Sequence, residues 1–394
     1  MISKKEILDR TEITNLNPHI IEKDYALGWL LAGISVHKEI GSQWLFKGGT
    51  CLKKCYFETY RFSEDLDFTL TEESHLNIKF LKSVFSEISE WIYKRTSFEF
   101  PNHLQDFDIY ESPQGRLNCQ GKISYQGPIS PRTGGLPRIK LDLTADEKVV
   151  LPSTLKQVCH PYNDSPEKNI KVMAYIYEEI FAEKIRALSD RASPRDLYDV
   201  INLYRNTEAS PNMSALQEAL KQKCEFKGMP VPTTNDIPKL KSKLKGTWQV
   251  MLGHQLPYLP ALDSFLQVLP EFFKWLEGEQ SPEEKTPYKL LEDEILVNEQ
   301  TAWLPLNQNI KSYIELIRFA SANRLCVNLE YQNSTHKTEC YSLRKTKEGN
   351  FILYAWNTDK KEICRYEVNY IQGIEVTDHS FTPKYLVELT PKIL

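Results

Sequence analysis

Two aspartates separated by one residue, Asp65 and Asp67, lie in the stretch DLDFTL, where acidic and apolar residues alternate. An alternation with a period of two is typical of a half-buried strand, so both carboxylates are expected on one face, about 7 Å apart. Two unpaired anions at this distance raise each other's pKa and call for a compensating cation. Mg²⁺ takes carboxylate and phosphate oxygens together, so the pair is a candidate metal site; for the motif alone, a solvated strand face is the alternative.

A diglycine precedes these aspartates. Gly48 and Gly49 are followed by TCLKKCYF, which is typical of a helix with Thr50 near its N-terminus. Glycines let the backbone approach a phosphate, and the first N–H groups of a helix are free to bind one. A diglycine alone is more often an ordinary turn, but its position before a helix and a D-x-D strand favours phosphate binding.

A third acid, Asp142 in IKLDL, lies in a second segment with strand periodicity. It could complete a site with three carboxylates and two metal ions, the arrangement used for phosphoryl and nucleotidyl transfer. An ordinary aspartate at a strand edge is the alternative.

Cations recur at helical spacing in the predicted helix 174–191. Lys184, Ala187 and Arg191 share one face of this helix, and the small alanine leaves room between the two cations. Such a face suits a triphosphate or a nucleic-acid backbone. A solvated face is the alternative, and three acids of the same helix favour it: Glu178, Glu179 and Glu183.

The surrounding sequence predicts an α+β protein. Strands are predicted at 43–46, 65–70 and 138–146, and helices at 17–40, 174–191, 194–205, 214–223 and 263–279, the last broken by Pro270. Between Glu277 and Glu299 there are eight acids and two lysines, which indicates a linker. One helix and several short strands follow it. The predicted domains are a core at 1–165, a helical lobe at 166–280, a linker at 281–309 and a β-rich domain at 310–394.

Composition narrows the class of protein. The chain has 394 residues, 41% hydrophobic and 26% charged, which is typical of a globular protein with two or three domains. Its formal charge of −4 argues against wholesale coating of nucleic acid. The eight cysteines form no CxxC pair and are expected to be reduced, and no apolar run suits a signal peptide or a membrane span. We therefore expect a cytoplasmic protein. The serine-hydrolase elbow and the P-loop motif are absent.

Taken in order, four segments resemble the AbiEii/AbiGii toxin family of bacterial nucleotidyltransferases: EKDYALGWLL, FKGGTCLKKCY…YRFSEDLDF, IKLDL and EEIFAEKIRALSDRASPRDLYDV. The last segment matches the family pattern K-x-x-A-x-x-x-R-x-x-x-R-D-x-x-D at every fixed position. The resemblance covers about residues 20–205. It implies a DNA polymerase β-like nucleotidyltransferase core with a helical C-terminal lobe.

The resemblance also implies roles for individual residues. Gly48, Gly49 and Thr50 would bind the triphosphate together with Ser63, although the superfamily often has Gly-Ser where this chain has Gly49-Thr50. Four residues would be catalytic: Asp65, Asp67 and Asp142 as metal ligands, and Lys184 as a phosphate contact. Three further residues would complete the nucleotide site: Arg191, Arg195 and Asp199.

Members of this family are toxins of toxin–antitoxin or phage-defence systems, with an antitoxin encoded alongside. They use a nucleoside triphosphate with Mg²⁺ or Mn²⁺, and some add nucleotides to the 3′ end of tRNA. The resemblance therefore implies transfer of a nucleotide to RNA, with tRNA as the expected acceptor. Transfer of AMP to a partner protein and a non-enzymatic regulator that acts through the C-terminal domain are the alternatives.

The C-terminal region resembles a WYL domain, a small Sm-like β-barrel that binds nucleic acid or nucleotides. The similarity lies in IRFASANRLCVNLEYQ, GNFILYAWN and CRYEVNYIQGIEVTDHSF. The Trp-Tyr-Leu position reads Phe351, Ile352 and Leu353, and Tyr370 replaces the second arginine of the usual pattern, whereas Tyr331 and Arg365 are retained. Ligand binding and a structural or dimerising role both stay open for this domain.

Overall fold

The computed structural model describes residues 1–57, 61–112, 115–130, 135–166, 169–206, 209–279, 294–297, 301 and 304–389. These residues form a mixed α+β protein with two sheets and a set of helices between them in sequence. Within the described residues, no helix is both long and apolar enough to cross a membrane.

The first sheet has seven strands: β1 (Trp44–Lys47), β2 (Asp65–Leu70), β3 (Asp106–Glu111), β4 (Leu117–Ser124), β5 (Arg138–Thr144), β6 (Thr154–Gln157) and β7 (Lys171–Ala174). Their order is β3-β4-β5-β2-β1-β7-β6. The pairs β2–β5 and β1–β7 are parallel, and the other pairs are antiparallel. The strands predicted from alternation at 65–70 and 138–146 are therefore direct neighbours at the centre of the sheet.

One face of this sheet is apolar. In β2, Leu66 and Phe68 are fully buried, whereas Asp65 and Asp67 point to the other face. Four helical segments precede or follow the first strands: α1 (Lys4–Thr14), α2 (Pro18–Val36), α3 (Gly48–Cys51), which continues as a π-helical turn over Leu52–Tyr56, and α4 (Ile78–Thr96). Helix α2 packs on α4, where Gly33 leaves room for the Ile88 side chain. On the other face Asp65 and Asp67 are partly exposed, whereas Lys47, Thr69 and Leu45 are buried.

The helical lobe contains α5 (Tyr177–Arg191), α6 (Pro194–Arg205), α7 (Met213–Phe226), α8 (Ile237–Leu244), α9 (Trp248–Leu252), α10 (Leu262–Leu266) and α11 (Leu269–Leu276). The predicted start of α5 at residue 174 is wrong, because Ala174 pairs with Phe46 at the end of β7. The predicted break at Pro270 is confirmed, since Pro270 lies in the first turn of α11.

The second sheet is antiparallel. It consists of β8 (Ile295–Leu296), β9 (Leu325–Tyr331), β10 (Ser334–Lys345), β11 (Phe351–Asn357), β12 (Glu362–Glu367) and β13 (Ile371–Ser380), preceded by α12 (Gln308–Ala322). The order is β12-β11-β10-β9-β13, with β8 added on β10. Within the described residues no pairing joins β12 to β13, so the sheet is open and barrel closure stays a prediction.

The predicted acidic linker falls mostly outside the described residues. Its described residues are 294–297, 301 and 304–309. The first of these segments lies against the second sheet: β8 pairs with β10, and Glu294 accepts a hydrogen bond from Tyr354 at 2.6 Å. Helix α12 meanwhile packs on α1, so the C-terminal region contacts the beginning of the chain.

Candidate active site

The carboxylates predicted from sequence lie side by side on the face of the first sheet opposite to Leu66 and Phe68. In the parallel register of β2 and β5, Asp67 is directly opposite Asp142, and Asp65 is opposite Lys140. On the other side of β2, Lys47 is opposite Asp67. Register partners on adjacent strands are about 5 Å apart, so two acids and a lysine form one row across three strands.

We call the surface formed by Asp65, Asp67 and Asp142 the carboxylate face. Its negative charge is only partly compensated by the surrounding residues. Removal from water raises the pKa of the Asp67 carboxyl to about 6, and the neighbouring Asp142 and Asp65 carboxylates add to this shift. Burial also raises the pKa of Asp65, against the opposing effect of Arg195. Acids held in such an environment are typical of functional sites.

Two cations touch the other acids of this face. Lys140 Nζ lies 2.7 Å from Asp142 Oδ2, and Arg195 Nη1 lies 3.6 Å from Asp65 Oδ2. Both side chains are partly exposed, so neither pair is sealed from solvent. Two of the three carboxylates, those of Asp142 and Asp65, therefore already contact protein cations.

The diglycine lies against the carboxylate face. Gly48 has a φ of +77°, and a Cβ atom there would lie 2.3 Å from Asp67 Oδ2. At Gly49 a Cβ atom would lie 2.7 Å from Arg61 Nη2 and 3.1 Å from the Ser63 hydroxyl. Only glycine satisfies both the backbone conformation and the space at residue 48. Thr50 fixes the turn, since its hydroxyl donates to the carbonyl oxygen of Asp65.

The basic residues of α5 and the acids of α6 form an ion network. Lys184 Nζ lies 2.8 Å from Asp199 Oδ2 and 3.3 Å from Asp196 Oδ1. Arg191 donates to both oxygens of Asp196, at 2.7 and 3.0 Å. Asp196 and Asp199 are fully buried. We call this group, together with Arg61, the ion network.

Arg61 connects the ion network to the diglycine. Its guanidinium donates to both oxygens of Asp199, at 2.7 and 2.8 Å, and it also packs against Gly49. The two cations Arg61 and Lys184 lower the pKa of Asp199 to about 2 although burial opposes this. Lys184 is thus buried and compensated by two carboxylates, and its contact with a phosphate stays a prediction.

A second cluster of paired charges surrounds Lys47, the lysine at the end of the row of acids. Lys47 Nζ is 3.2 Å from Glu183 Oε1 and 3.8 Å from Glu147 Oε1. Burial alone would lower the pKa of Lys47, but the two glutamates raise it. Against the effect of burial, Lys47 and Lys223 lower the pKa of Glu183 to about 2. Lys47 is therefore a charged residue beside Asp67.

The structure thus brings together most of the residues predicted from sequence, in two groups. The first group surrounds the carboxylate face: Gly48, Gly49, Thr50, Ser63, Asp65, Asp67, Asp142 and Arg195. The second group lies in the ion network and consists of Lys184, Arg191 and Asp199, which are joined through Asp196. The sequence did not predict a role for four further residues of these groups: Asp196, Arg61, Lys47 and Lys140. Arg61 lies in the family-like segment YRFSEDLDF, and Lys47 directly precedes the diglycine, so position in a motif was the available signal for both.

The donors on the carboxylate face suit a hard divalent cation. All three acids offer oxygen ligands, and burial raises the pKa values of Asp65 and Asp67, to which the neighbouring carboxylates add. In the part of the chain that the structure describes, no three His, Cys, Asp or Glu side chains already converge on one point. Asp142 would have to exchange Lys140 for a cation shared with Asp67.

Comparison with known proteins identifies the family. The model of the family described as nucleotidyl transferase AbiEii toxin, type IV toxin–antitoxin system, matches residues 29–277, more than half of the chain. No curated protein matches the sequence.

Two solved structures show weaker likenesses. MenT4, a nucleotidyltransferase toxin of Mycobacterium tuberculosis H37Rv, is 20% identical over 69% of this chain and 87% of its own, with a TM-score of 0.47. The proteasome accessory factor B/C of Arthrobacter aurescens is 10% identical over 94% and 73%, with a TM-score of 0.17. Neither carries an argument about this chain. On its family match, the chain belongs to the AbiEii family of nucleotidyltransferase toxins of type IV toxin–antitoxin systems.

Proposed function

We propose that the protein transfers a nucleoside monophosphate from an NTP to RNA, with the 3′ end of tRNA as the acceptor. The observation that carries this proposal is the row of adjacent carboxylates on β2 and β5 beside the diglycine. The site combines oxygen ligands for a divalent cation with a backbone that a phosphate can approach closely.

In this proposal Asp65, Asp67 and Asp142 hold Mg²⁺, or Mn²⁺ in its place. When bound, such ions neutralise the charge of the transferred phosphoryl group and of the leaving pyrophosphate. The chain's own contribution is placement. The register of β2 and β5 fixes Asp67 beside Asp142, and the buried Lys47 stabilises the ionised form of Asp67.

Binding of the triphosphate is assigned to the turn and to exposed cations. Gly48, Gly49 and Thr50 would present backbone N–H groups, with the Ser63 hydroxyl beside them. Arg191 and Arg195 keep partly exposed guanidinium groups, which suit phosphate oxygens. Arg195 also lies 3.6 Å from Asp65. Lys184 and Asp199 would act by positioning Arg61 behind Gly49.

The acceptor is tested by labelling. The protein is incubated with total RNA, a cell lysate and each of the four α-labelled NTPs in turn, and the products are divided for RNase and protease digestion. Label that RNase removes and protease does not, at the size of tRNA, supports the proposal. Label that only protease removes would instead indicate transfer of AMP to a protein. Full RNA labelling by Asp67→Asn would rule out the proposed chemistry.

The antitoxin and the C-terminal domain complete the proposal. The family is one of toxin–antitoxin systems, so an inhibitory antitoxin is the expected partner. We assign residues 310–394 to a WYL-like module, supported by the antiparallel sheet and by the open groove that Tyr331, His336 and Tyr366 line. Arg365, which also lines this groove, pairs with Glu294 at 3.1 Å.

A further inference from the structure

A run of lysines lies in the helical lobe, in and directly after α8. Lys239, Lys241, Lys243 and Lys245 occupy every second position, and the sequence has no acid from residue 237 to residue 262. The chain as a whole has a formal charge of −4, with 53 acids against 49 lysines and arginines. This stretch is therefore a positively charged exception to the composition of the chain. We call its four lysines the lysine face.

The structure leaves the lysine face exposed. Leu240 and Leu244 are buried and fix α8 on the lobe, whereas all four lysines are exposed. No acid of the described residues forms an ion pair with any of them. Lys223 of the same lobe is, by contrast, buried and paired with Glu179 at 2.8 Å. The charge of the lysine face is thus available to an anion from outside the fold.

Helix stability does not account for this pattern. The helix dipole favours cations in the last turn of α8, where Lys241 and Lys243 lie, but disfavours Lys239 in the first turn. Like charges four positions apart destabilise a helix, and Lys239 with Lys243 and Lys241 with Lys245 form two such pairs. A bound polyanion would remove this repulsion.

The segment that follows the lysine face leads to the carboxylate face. In α9, the carbonyl oxygen of Met251 accepts a hydrogen bond from Arg195, and Arg195 in turn contacts Asp65. Shortly afterwards, His254 lies 3.2 Å from Glu64, the residue before Asp65. The lysine face is therefore joined to the rim of the candidate active site through one short helix.

The distance along this segment is short. Backbone hydrogen bonds of helical type run from Thr247 to Leu244 at 3.2 Å and from Met251 to Thr247 at 3.0 Å. At a helical rise of about 1.5 Å per residue, the segment from Lys245 to Met251 covers about 9 Å. Each strand of a nucleic-acid duplex carries one phosphate per about 3.4 Å. The lysine face thus lies within several nucleotides of a 3′ end that reacts at the carboxylate face.

The chemistry of the lysine face favours RNA over a protein partner. Lysine is depleted in protein–protein interfaces, whereas nucleic-acid interfaces are more polar and more positively charged. The exposed residues that alternate with the lysines, Ser242 and Gly246, are small and offer no apolar anchor to a protein. An ammonium group acts on a phosphate as a point charge and needs no particular base sequence.

We propose that the lysine face binds the phosphate backbone of the acceptor RNA and so holds its 3′ end at the carboxylate face. This inference rests on the proposed function, because it takes RNA as the acceptor. Contacts with phosphates fix the position of a nucleic acid without reading its sequence. The lysine face therefore supplies affinity, and the carboxylate face carries out the transfer.

Binding is measured by fluorescence anisotropy with total tRNA, labelled at its 5′ end, at about 50–200 mM KCl and without NTP. In the lysine-face variant all four lysines are replaced by glutamine. Its affinity at about 100 mM KCl should be at least about tenfold lower. The slope of log K against log[KCl] should become less negative by about three, because each lost phosphate contact removes about 0.7–0.9.

The matched control removes four exposed cations from α4. This helix packs on the apolar side of the first sheet, since its Phe85 and the Phe68 of β2 both contact Trp44. The control substitutions are Lys79→Gln, Lys82→Gln, Lys94→Gln and Arg95→Gln. Both variants change the net charge equally, so a general electrostatic effect would be equal in the two. The control should keep the affinity and the slope of the unmodified protein.

A smaller variant keeps the test decisive. The pair Lys243→Gln and Lys245→Gln should produce about half of the change in slope. If circular dichroism shows that the lysine-face variant does not fold, this pair decides the matter. An unchanged slope in the folded pair would then overturn the proposal.

RNA labelling separates this proposal from the proposed function. In the lysine-face variant the KM for tRNA should rise about tenfold, while kcat and the KM for NTP stay unchanged. Lysine-dependent binding of tRNA without labelling would support the lysine face and contradict transfer to RNA. Labelling with unchanged tRNA binding in the lysine-face variant would overturn this proposal alone and leave the face to an acidic protein. An equal loss in the control, or no binding of tRNA by the unmodified protein, would also overturn it.

Discussion

The carboxylate face and the ion network contain similar residues in opposite electrostatic states. On the carboxylate face, burial and like charges raise the pKa of Asp67 to about 6. In the ion network, Arg61 and Lys184 lower the pKa of the fully buried Asp199 to about 2. Both regions lie beside the diglycine, since Asp67 packs on Gly48 and Arg61 on Gly49.

This difference separates a site from its support. A carboxylate that the protein's own cations do not fully neutralise is available to bind a metal ion. A carboxylate in an ion pair is already neutralised by residues of the fold. Removing a carboxylate from the carboxylate face is therefore expected to reduce activity and to increase stability. Removing one from the ion network is expected to reduce stability.

The largest expected effect is that of Asp67→Asn on activity. Loss of a charged oxygen ligand at the reacting phosphate should reduce the rate of RNA labelling by about 10³-fold or more. Labelling is measured at saturating NTP. The matched control is Asp108→Asn, which removes an exposed carboxylate of β3 in the same register row, two strands from Asp142.

The same variant should be more stable than the unmodified protein when divalent ions are chelated. The folded pKa of Asp67, about 6, is above the unfolded value of about 3.9, so at pH 7 ionisation of Asp67 opposes folding. Partial exposure reduces this cost, and Asp67→Asn should gain about 1–2 kcal/mol in urea unfolding. A loss of stability would show that Asp67 is a structural residue.

Asp199→Asn tests the other region. Removing this carboxylate leaves Arg61 and Lys184 buried with too little negative charge, which should cost about 3–5 kcal/mol of unfolding free energy. Asp190→Asn is the control, because Asp190 is an exposed acid that lies 3.5 Å from Arg186 on α5. The control should change stability by less than about 1 kcal/mol. An equal, small effect of both changes would contradict the division between site and support.

The acid sensitivity of the fold should depend on the ion network. Since the folded pKa of Asp199, about 2, is below its unfolded value, its contribution to stability is present above about pH 4 and is lost as the pH falls toward 2. Between pH 5 and pH 2.5, Asp199→Asn should lose about 2 kcal/mol less than the unmodified protein. Urea unfolding at these two pH values measures the difference. Parallel losses would mean that Asp199 is not the titrating group.

Local pattern predicted the two strands that carry the carboxylate face, but not their pairing. Alternation identified β2 and β5 as strands, and their parallel pairing then brought Asp67 beside Asp142. The side of the sheet that carries the acids follows from the same alternation, since Leu66 and Phe68 occupy the apolar side.

The ion network was beyond such reasoning. Helical spacing places Lys184 and Arg191 on one face, but it does not say that α6 supplies carboxylates to both. Arg61 and Asp199 are 138 positions apart, and no periodicity links residues at that separation. The family match at 29–277 confirmed the prediction of a nucleotidyltransferase that such spacing alone left open.

The smallest expected effect concerns Lys140, the cation that touches Asp142 on the carboxylate face. Its ammonium lies 2.7 Å from Asp142 and would compete with a metal ion for that carboxylate. Lys140→Met should therefore lower the Mg²⁺ concentration for half-maximal labelling by about two- to fivefold, as expected for an exposed pair worth less than about 1 kcal/mol. Stability should change by no more than that amount.

Lys122→Met provides the matched control for this prediction. Lys122 lies opposite Lys140 on β4, points to the same face and is exposed, but it makes no ion pair with an acid of the described residues. Both changes remove one positive charge from the same surface, so a general electrostatic effect on Mg²⁺ would be equal in the two variants. A shift in Lys140→Met alone would show that Asp142 exchanges a protein cation for a metal ion, whereas equal shifts would remove Asp142 from the set of metal ligands.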